Sequence, residues 1–448
     1  MRRRLLKHLL SATLTLSVSS PLALSKSQAD GTEHPPNIRT NVRQVLVPVV
    51  VVDKKGHYVT DLKPSDFQVF EDGSPETIVA FSTNNVDAAS ASAKPGTQQP
   101  NGSKTAAPAP AQSEPVRRTY LIILDTLHSS FSNFVRVRKA LEKFFEQEPD
   151  GDSQYALMAL GRQIQIVQDS TRDPALVLNK LRDKQAQKTI QESESSNTAF
   201  EAGRFTELVS AYCAACGCVT IPVVPEQAPW CAMRQTAVQS FLKRYGERTF
   251  LLNEDFLQQL KRLVDAAASM PTARTIIFIS DGFNRFPGQE LYGILQGFGP
   301  NTSSFSFNPR DTQPELDSIL KVAVRYDVKF YTIDSRGLYT TASFAGSSLD
   351  VSHCGVTPSS VDRQTVSIAI QNTDALAQLA RETGGLFFEN NNDILKGIRR
   401  AFADGREAYV LAYVPKDKPF DGKYRKIRVK VKEKGLSVNA KPGYWATN

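Results

Sequence analysis

The chain has 448 residues and a formal net charge of +8, with 41% hydrophobic and 22% charged residues. These are ordinary globular values; they exclude collagen-like and disordered classes, and the length suits roughly three domains with a sizeable core. Part of the basic excess is local, since Arg2, Arg3, Arg4 and Lys7 stand at the start and the remaining cations are interspersed with acids, so the charge does not point to nucleic acid.

Residues 1–29 read as a signal peptide. A positive segment from Met1 to Lys7 precedes an apolar stretch, Leu9 to Leu24, diluted by Ser and Thr, and Ser27-Gln28-Ala29 offers a cleavage site before Asp30. The apolar part is too short and too hydroxylated for a membrane span. Arg2-Arg3-Arg4 fits a twin-arginine pattern loosely, and no cysteine lies near the cleavage site for a lipid anchor. The expected location is periplasmic, cell-surface or secreted, with no transmembrane span in the mature chain.

Residues 40–83 read as an N-terminal β unit. The β-branched run Val42 to Val52 is followed by a turn at Asp53–Gly56, and Phe67 to Glu71 leads into the hairpin turn Asp72-Gly73. Pro48 inside the first run predicts an edge strand or a bulge. Residues 84–117, rich in Ala, Ser, Pro, Gly, Gln and Asn without periodicity, read as a flexible linker.

From Arg118 strands and helices alternate. Tyr120 to Leu124, Tyr155 to Leu160, Thr275 to Ser280 and Val328 to Asp334 are apolar runs, and Gln163 to Gln168 alternates like an antiparallel edge strand. Helical spacing covers Ser130–Glu146, Leu316–Tyr326, Thr373–Thr383 and Ile394–Phe402; Asp173-Pro174 opens a short helix and Gly384-Gly385 stops one. This predicts an α/β domain over 118–405, a doubly wound, mostly parallel sheet, with insertions at about 185–248 and 283–314. Residues 406–448 return to β character. They are expected to pack with the N-terminal strands as an accessory sandwich-like unit, or to form a small sandwich alone, since neither piece suffices by itself.

Two carboxylates end apolar runs: Asp125 after Tyr120–Leu124, and Asp281 after Thr275–Ser280. In open α/β sheets the carboxyl ends of the strands are where ligands bind. His128, a lone histidine nearby, reads as a solvated loop residue.

Leu121-Ile-Ile-Leu-Asp125, Ile276-Ile-Phe-Ile-Ser-Asp-Gly282 and the flanking stretches Asp66–Gly73, Asp421–Val431 and Lys441–Tyr444 together resemble the von Willebrand factor type A (VWA) domain. More narrowly they resemble exported VWFA-related proteins of the Acidobacterial type. The resemblance implies a VWA/Rossmann-like fold and a metal-ion-dependent adhesion site built from Asp-x-Ser-x-Ser, a second-loop Thr and a third-loop Asp. By that pattern the metal residues are Asp125, Ser129 and Asp281, with Thr198 or Thr206 as the Thr, and Mg²⁺ as the cofactor. Leu127 departs from the pattern, because it stands where a ligating Ser should be, so the site is degenerate. The alternative is that both carboxylates accept hydrogen bonds from strand-end amides and helix N-termini.

Cys213, Cys216, Cys218 and Cys231 cluster in the first insertion, with Cys354 apart. In an exported chain disulfides within the insertion are expected over a four-thiolate zinc site, with the pairing open. No His-Glu-x-x-His, Gly-x-Ser-x-Gly, phosphate-binding or dinucleotide motif is present, so no catalytic residue is assigned. The expected function is a binding module for an unknown protein or envelope partner around Asp125 and Asp281. A metal-assisted enzyme, an enzyme accessory subunit and an inert structural envelope protein are the alternatives. The oligomeric state is open.

Overall fold

The computed structural model describes residues 44–83, 118–147, 153–191, 195–216, 228–270, 273–297, 304–338, 358–416 and 421–447. The segments read as signal peptide and linker, and Cys218 and Cys354, lie outside these residues.

The strands of the flanking units are β1 (Val45–Val52), β2 (Phe67–Glu71), β3 (Ser74–Glu76), β4 (Ile78–Thr83), β11 (Tyr409–Tyr413), β12 (Tyr424–Val431), β13 (Ser437–Ala440) and β14 (Gly443–Trp445). Between them lies a mixed six-stranded sheet of β5 (Arg118–Asp125), β6 (Ser153–Leu160), β7 (Ile164–Thr171), β8 (Ala273–Ser280), β9 (Val328–Asp334) and β10 (Phe387–Phe388). Its spatial order is β10-β9-β8-β5-β6-β7. All neighbours are parallel except β7, which runs antiparallel on the edge beside β6.

The central strand shows why a continuous apolar run belongs there. Tyr120, Ile122 and Leu124 enter one core, while Leu121 and Ile123 enter the core on the opposite face. Helices cover both faces: α1 (Phe131–Gln147), α2 (Pro174–Arg182), α3 (Lys184–Gln191), α4 (Ser195–Cys216), α5 (Ala228–Ala268), α6 (Gln289–Gly297), α7 (Gln313–Arg325), α8 (Pro358–Thr383) and α9 (Ile394–Arg406). α1 and α9 pack against the first face, and α7 with the C-terminal half of α5 against the second. Local signals set several ends. Asp173 accepts from the Ala175 amide at 2.9 Å to cap α2, and Pro174 follows it. α8 starts well before the expected Thr373 and stops at Gly384, whose φ of +78° suits a residue without a Cβ.

The first insertion is helical. α5 runs for 41 residues, about 60 Å. Its N-terminal half packs with α4 in a separate core around Phe205, Val238 and Leu242, and its C-terminal half joins the sheet through Phe256, Leu260 and Val264. The sequence does not announce this helix because the two halves bury against different partners, so no single stripe runs through it.

The strands from the two ends of the chain share two four-stranded sheets, β13-β1-β11-β4 and β14-β12-β2-β3. Val47, Val49 and Val51 face Phe67, Val69 and Ile427 across a common core, which makes a sandwich. β1 is interior, yet β13 pairs only with Val49–Val52, so on that side Pro48 stands at an open edge. The β2–β3 turn takes positive φ at Asp72 (48°) and Gly73 (88°), as a two-residue hairpin requires. The sandwich is tied to the α/β sheet through buried Asp404 on α9. Its carboxylate accepts from Tyr58 Oη at 2.6 Å, Tyr331 Oη at 3.2 Å and Arg400 Nε at 2.7 Å.

Candidate functional site

β5 lies between β6 and β8, so the chain winds outward from β5 in one direction and later returns to wind outward in the other. Such a reversal opens a crevice between the carboxyl ends of the two central strands. Asp125 ends β5 and Asp281 follows β8, so the two carboxylates sit on adjacent strand ends.

Asp125 is 3% exposed and surrounded by donors. Its Oδ1 accepts from the amides of Leu127 and His128, both at 3.0 Å, and its Oδ2 from the Ser280 hydroxyl at 2.6 Å. His128 Nδ1 lies 2.9 Å from the same Oδ2. The other ring nitrogen, Nε2, lies 2.7 Å from Asn253 Oδ1, and the Asn253 amide is oriented by its own donation to the Asn284 carbonyl at 3.2 Å. Both imidazole nitrogens therefore face acceptors, an arrangement satisfied when the ring is doubly protonated. Burial alone would lower the imidazole pKa, but the Asp125 charge, its hydrogen bond and that from Asn253 hold it above the ordinary histidine value. The ring sits between Phe256 (4.6 Å between centroids) and Phe283 (5.4 Å). The expectation of a solvated His128 is thus corrected: it is a half-buried partner of Asp125, engaged at both ring nitrogens.

Asp281 is held by the neighbouring loops. Its Oδ2 accepts from the Ser130 amide at 2.9 Å and Asn133 Nδ2 at 2.8 Å, and its Oδ1 from the Ser335 hydroxyl. Burial raises its carboxyl pKa, with these donors pulling the other way. Ser129 accepts from the Asp281 amide at 3.1 Å, which joins the β5 and β8 loops. Arg136 on α1 braces the β9 loop, donating to the carbonyls of Ser335 (2.8 Å) and Arg336 (2.6 Å), and Arg336 in turn pairs with Asp334 at 2.9 Å. Gly282 has a φ of +85°, and a Cβ there would lie 2.2 Å from the Asn372 carbonyl oxygen, so the turn after Asp281 needs glycine.

The structure thus joins Ser129 directly to Asp281 by a hydrogen bond, and brings Asp125 to the same edge through the hydroxyl of Ser280. Leu127 is 7% exposed and packs in the core beneath the site, which accounts for the apolar residue at that position. Thr206 donates instead to the Ala202 carbonyl within α4, and no hydrogen bond links it to the site among the described residues. The side chain of Thr198 lies outside them. As arranged, these residues do not fit Mg²⁺. The lone-pair directions of Asp125 meet two amides, a hydroxyl and the imidazole, and a metal there would have to displace the ring. Sequence reasoning missed Asn133, Asn253, Ser280 and Ser335. Ser280 was legible, as the last residue before Asp281; the others have no local motif.

In the insertion, Cys216 and Cys231 form a disulfide between α4 and α5, and Cys213 is disulfide-bonded as well.

No protein-family model matches the chain, and no curated protein does. Among solved structures it is similar to proximal thread matrix protein 1 from the mussel byssus, at 9% identity and a TM-score of 0.25, covering 72% of this chain and 48% of that one. It is also similar to the vWF domain of the type V pili tip protein Mfa5 from Porphyromonas gingivalis, at 11% identity and a TM-score of 0.27, covering 65% and 96%. A third is the PilB minor pilin from Streptococcus sanguinis, at 10% identity and a TM-score of 0.21, covering 59% and 62%. The chain thus covers less than half of the byssus protein, and likenesses at these scores carry no argument about the site. Among the described residues no helix is long and apolar enough to cross a membrane.

Proposed function

We propose that the chain is an exported, VWA-like binding module that docks a protein partner of the cell envelope at the strand ends around Asp125 and Asp281. The observation that supports this most is the reversal of strand order between β5 and β8, with both carboxylates at the resulting crevice. Two apolar side chains stand on the loops around it. Phe131, at the start of α1, and Leu338, beyond Arg336, are each 54% exposed. Apolar tips beside a desolvated polar centre suit a protein interface. Export is read from residues 1–29. We favour binding over catalysis because Asn253 engages His128 Nε2, leaving that nitrogen unable to act as a base.

In this reading the positive charge beside Asp125 belongs to the protein, and recognition needs no divalent ion. The second reading is a Mg²⁺-bridged contact, favoured by the presence of Asp125, Ser129 and Asp281 at one edge; it requires the imidazole to leave. Capture of partners from envelope extract, run in chelator and in Mg²⁺, tests both. The first reading expects equal capture in the two conditions, abolished by Phe131→Asp with Leu338→Asp. Undiminished capture by that variant would sink it. Capture only with Mg²⁺, together with calorimetric Mg²⁺ binding abolished by a folded Asp125→Ala variant, would establish the second.

A further inference from the structure

The flanking stretches Asp66–Gly73, Asp421–Val431 and Lys441–Tyr444 belong to the sequence resemblance, yet they take no part in the edge around Asp125. All three contribute to one groove of about 860 Å³ on the outer side of the β12–β2 sheet. Lys426, Arg428 and Lys430 line it from β12, with Phe70 and Tyr424 beside them and Asp72 and Glu382 on its walls. We propose that this groove binds a linear acidic polysaccharide, laid along β12 with its carboxylates on the three cations.

Alternate residues of a strand share a face, so Lys426, Arg428 and Lys430 form a column with about 7 Å between neighbours. All three are exposed. They differ from Arg425 on the same strand, which is engaged with Asp421 at 3.0 Å and lies 3.7 Å from Asp72. No acidic side chain pairs with the Lys426 ammonium or the Arg428 guanidinium among the described residues. A column of exposed cations suits a polymer whose charges recur along its length. The Lys430 ammonium stands 5.2 Å from the Phe70 ring centre, and the half-buried Tyr424 ring offers an apolar face for a sugar.

Two features separate this ligand from other anions. The cations lie in a concave groove walled by Glu382 on α8, which a flat lipid surface does not enter. Asp72 and Glu382 on its walls can accept hydrogen bonds from the hydroxyls that recur on each sugar of a polysaccharide and that a DNA backbone lacks.

The test titrates the full chain with polygalacturonate, neutral dextran, a single-stranded oligonucleotide and phosphatidylglycerol vesicles. Polygalacturonate should bind, more weakly as salt rises, and dextran should not. Changing Lys426, Arg428 and Lys430 together to Gln should weaken binding by about a hundredfold without moving the unfolding midpoint, since all three are exposed. The Phe131→Asp, Leu338→Asp variant should bind the polymer normally, which separates this proposal from the partner-docking edge. No binding of polygalacturonate, undiminished binding by the triple variant, or tighter binding of oligonucleotide or vesicles would overturn it.

Discussion

At the scale of single residues, the Asp125–His128 pair decides how the strand-end site behaves. Removing one member of a buried pair leaves the other charge uncompensated, so Asp125→Asn should lower unfolding free energy by about 3–5 kcal/mol, measured by chemical denaturation. The pair also imposes a pH dependence of known sign. A free imidazole titrates near pH 6.5, and His128 holds its proton to a higher pH in the folded chain. The resulting stability is complete below about pH 6.5 and is lost as pH rises through the folded value, because the native state then retains a proton that the unfolded state has released. Unfolding midpoints should fall across that window in the wild type and flatten in His128→Gln; a midpoint rising there would contradict the assignment. Asp125 and Asp281 were legible because each follows an apolar run, whereas Ser129 came only from the resemblance to the VWA pattern. The role of His128 was not, because its second partner, Asn253, lies 125 residues away in the middle of a helix.

At the scale of elements, alternating apolar strands and helices with capped ends made the six-stranded sheet legible. The helical insertion was not, because α5 serves two cores in succession. The Cys216–Cys231 disulfide closes a loop of sequence separation 15 between α4 and α5. By the loop-entropy argument it contributes about 3 kcal/mol. Reduction should therefore raise hydrogen exchange in α4 and the first half of α5, while β5 and β8 stay protected. Uniform loosening of the sheet would show that the insertion and the α/β core are one cooperative unit.

At the scale of the whole molecule, Asp404 is a buried polar tie between the sandwich and the α/β sheet. It serves Tyr58 from the N-terminal strands, Tyr331 from β9 and Arg400 from its own helix. Asp404→Ala strips the buried Tyr331 hydroxyl and the half-buried Tyr58 and Arg400 donors of their acceptor and should cost about 3 kcal/mol. Calorimetry should then resolve two transitions where the wild type shows one; a single transition at the original temperature would deny Asp404 this role. The sharing of both sandwich sheets by the two ends of the chain has a further consequence. Among the described residues β1 pairs with β11 and β13, and β2 pairs with β12, so the first strands of the sandwich must wait for the last. Until the C-terminus has emerged, the valine-rich β1 is an unpaired aggregation hazard. Formation of the sandwich is therefore timed by the arrival of the chain's final forty or so residues.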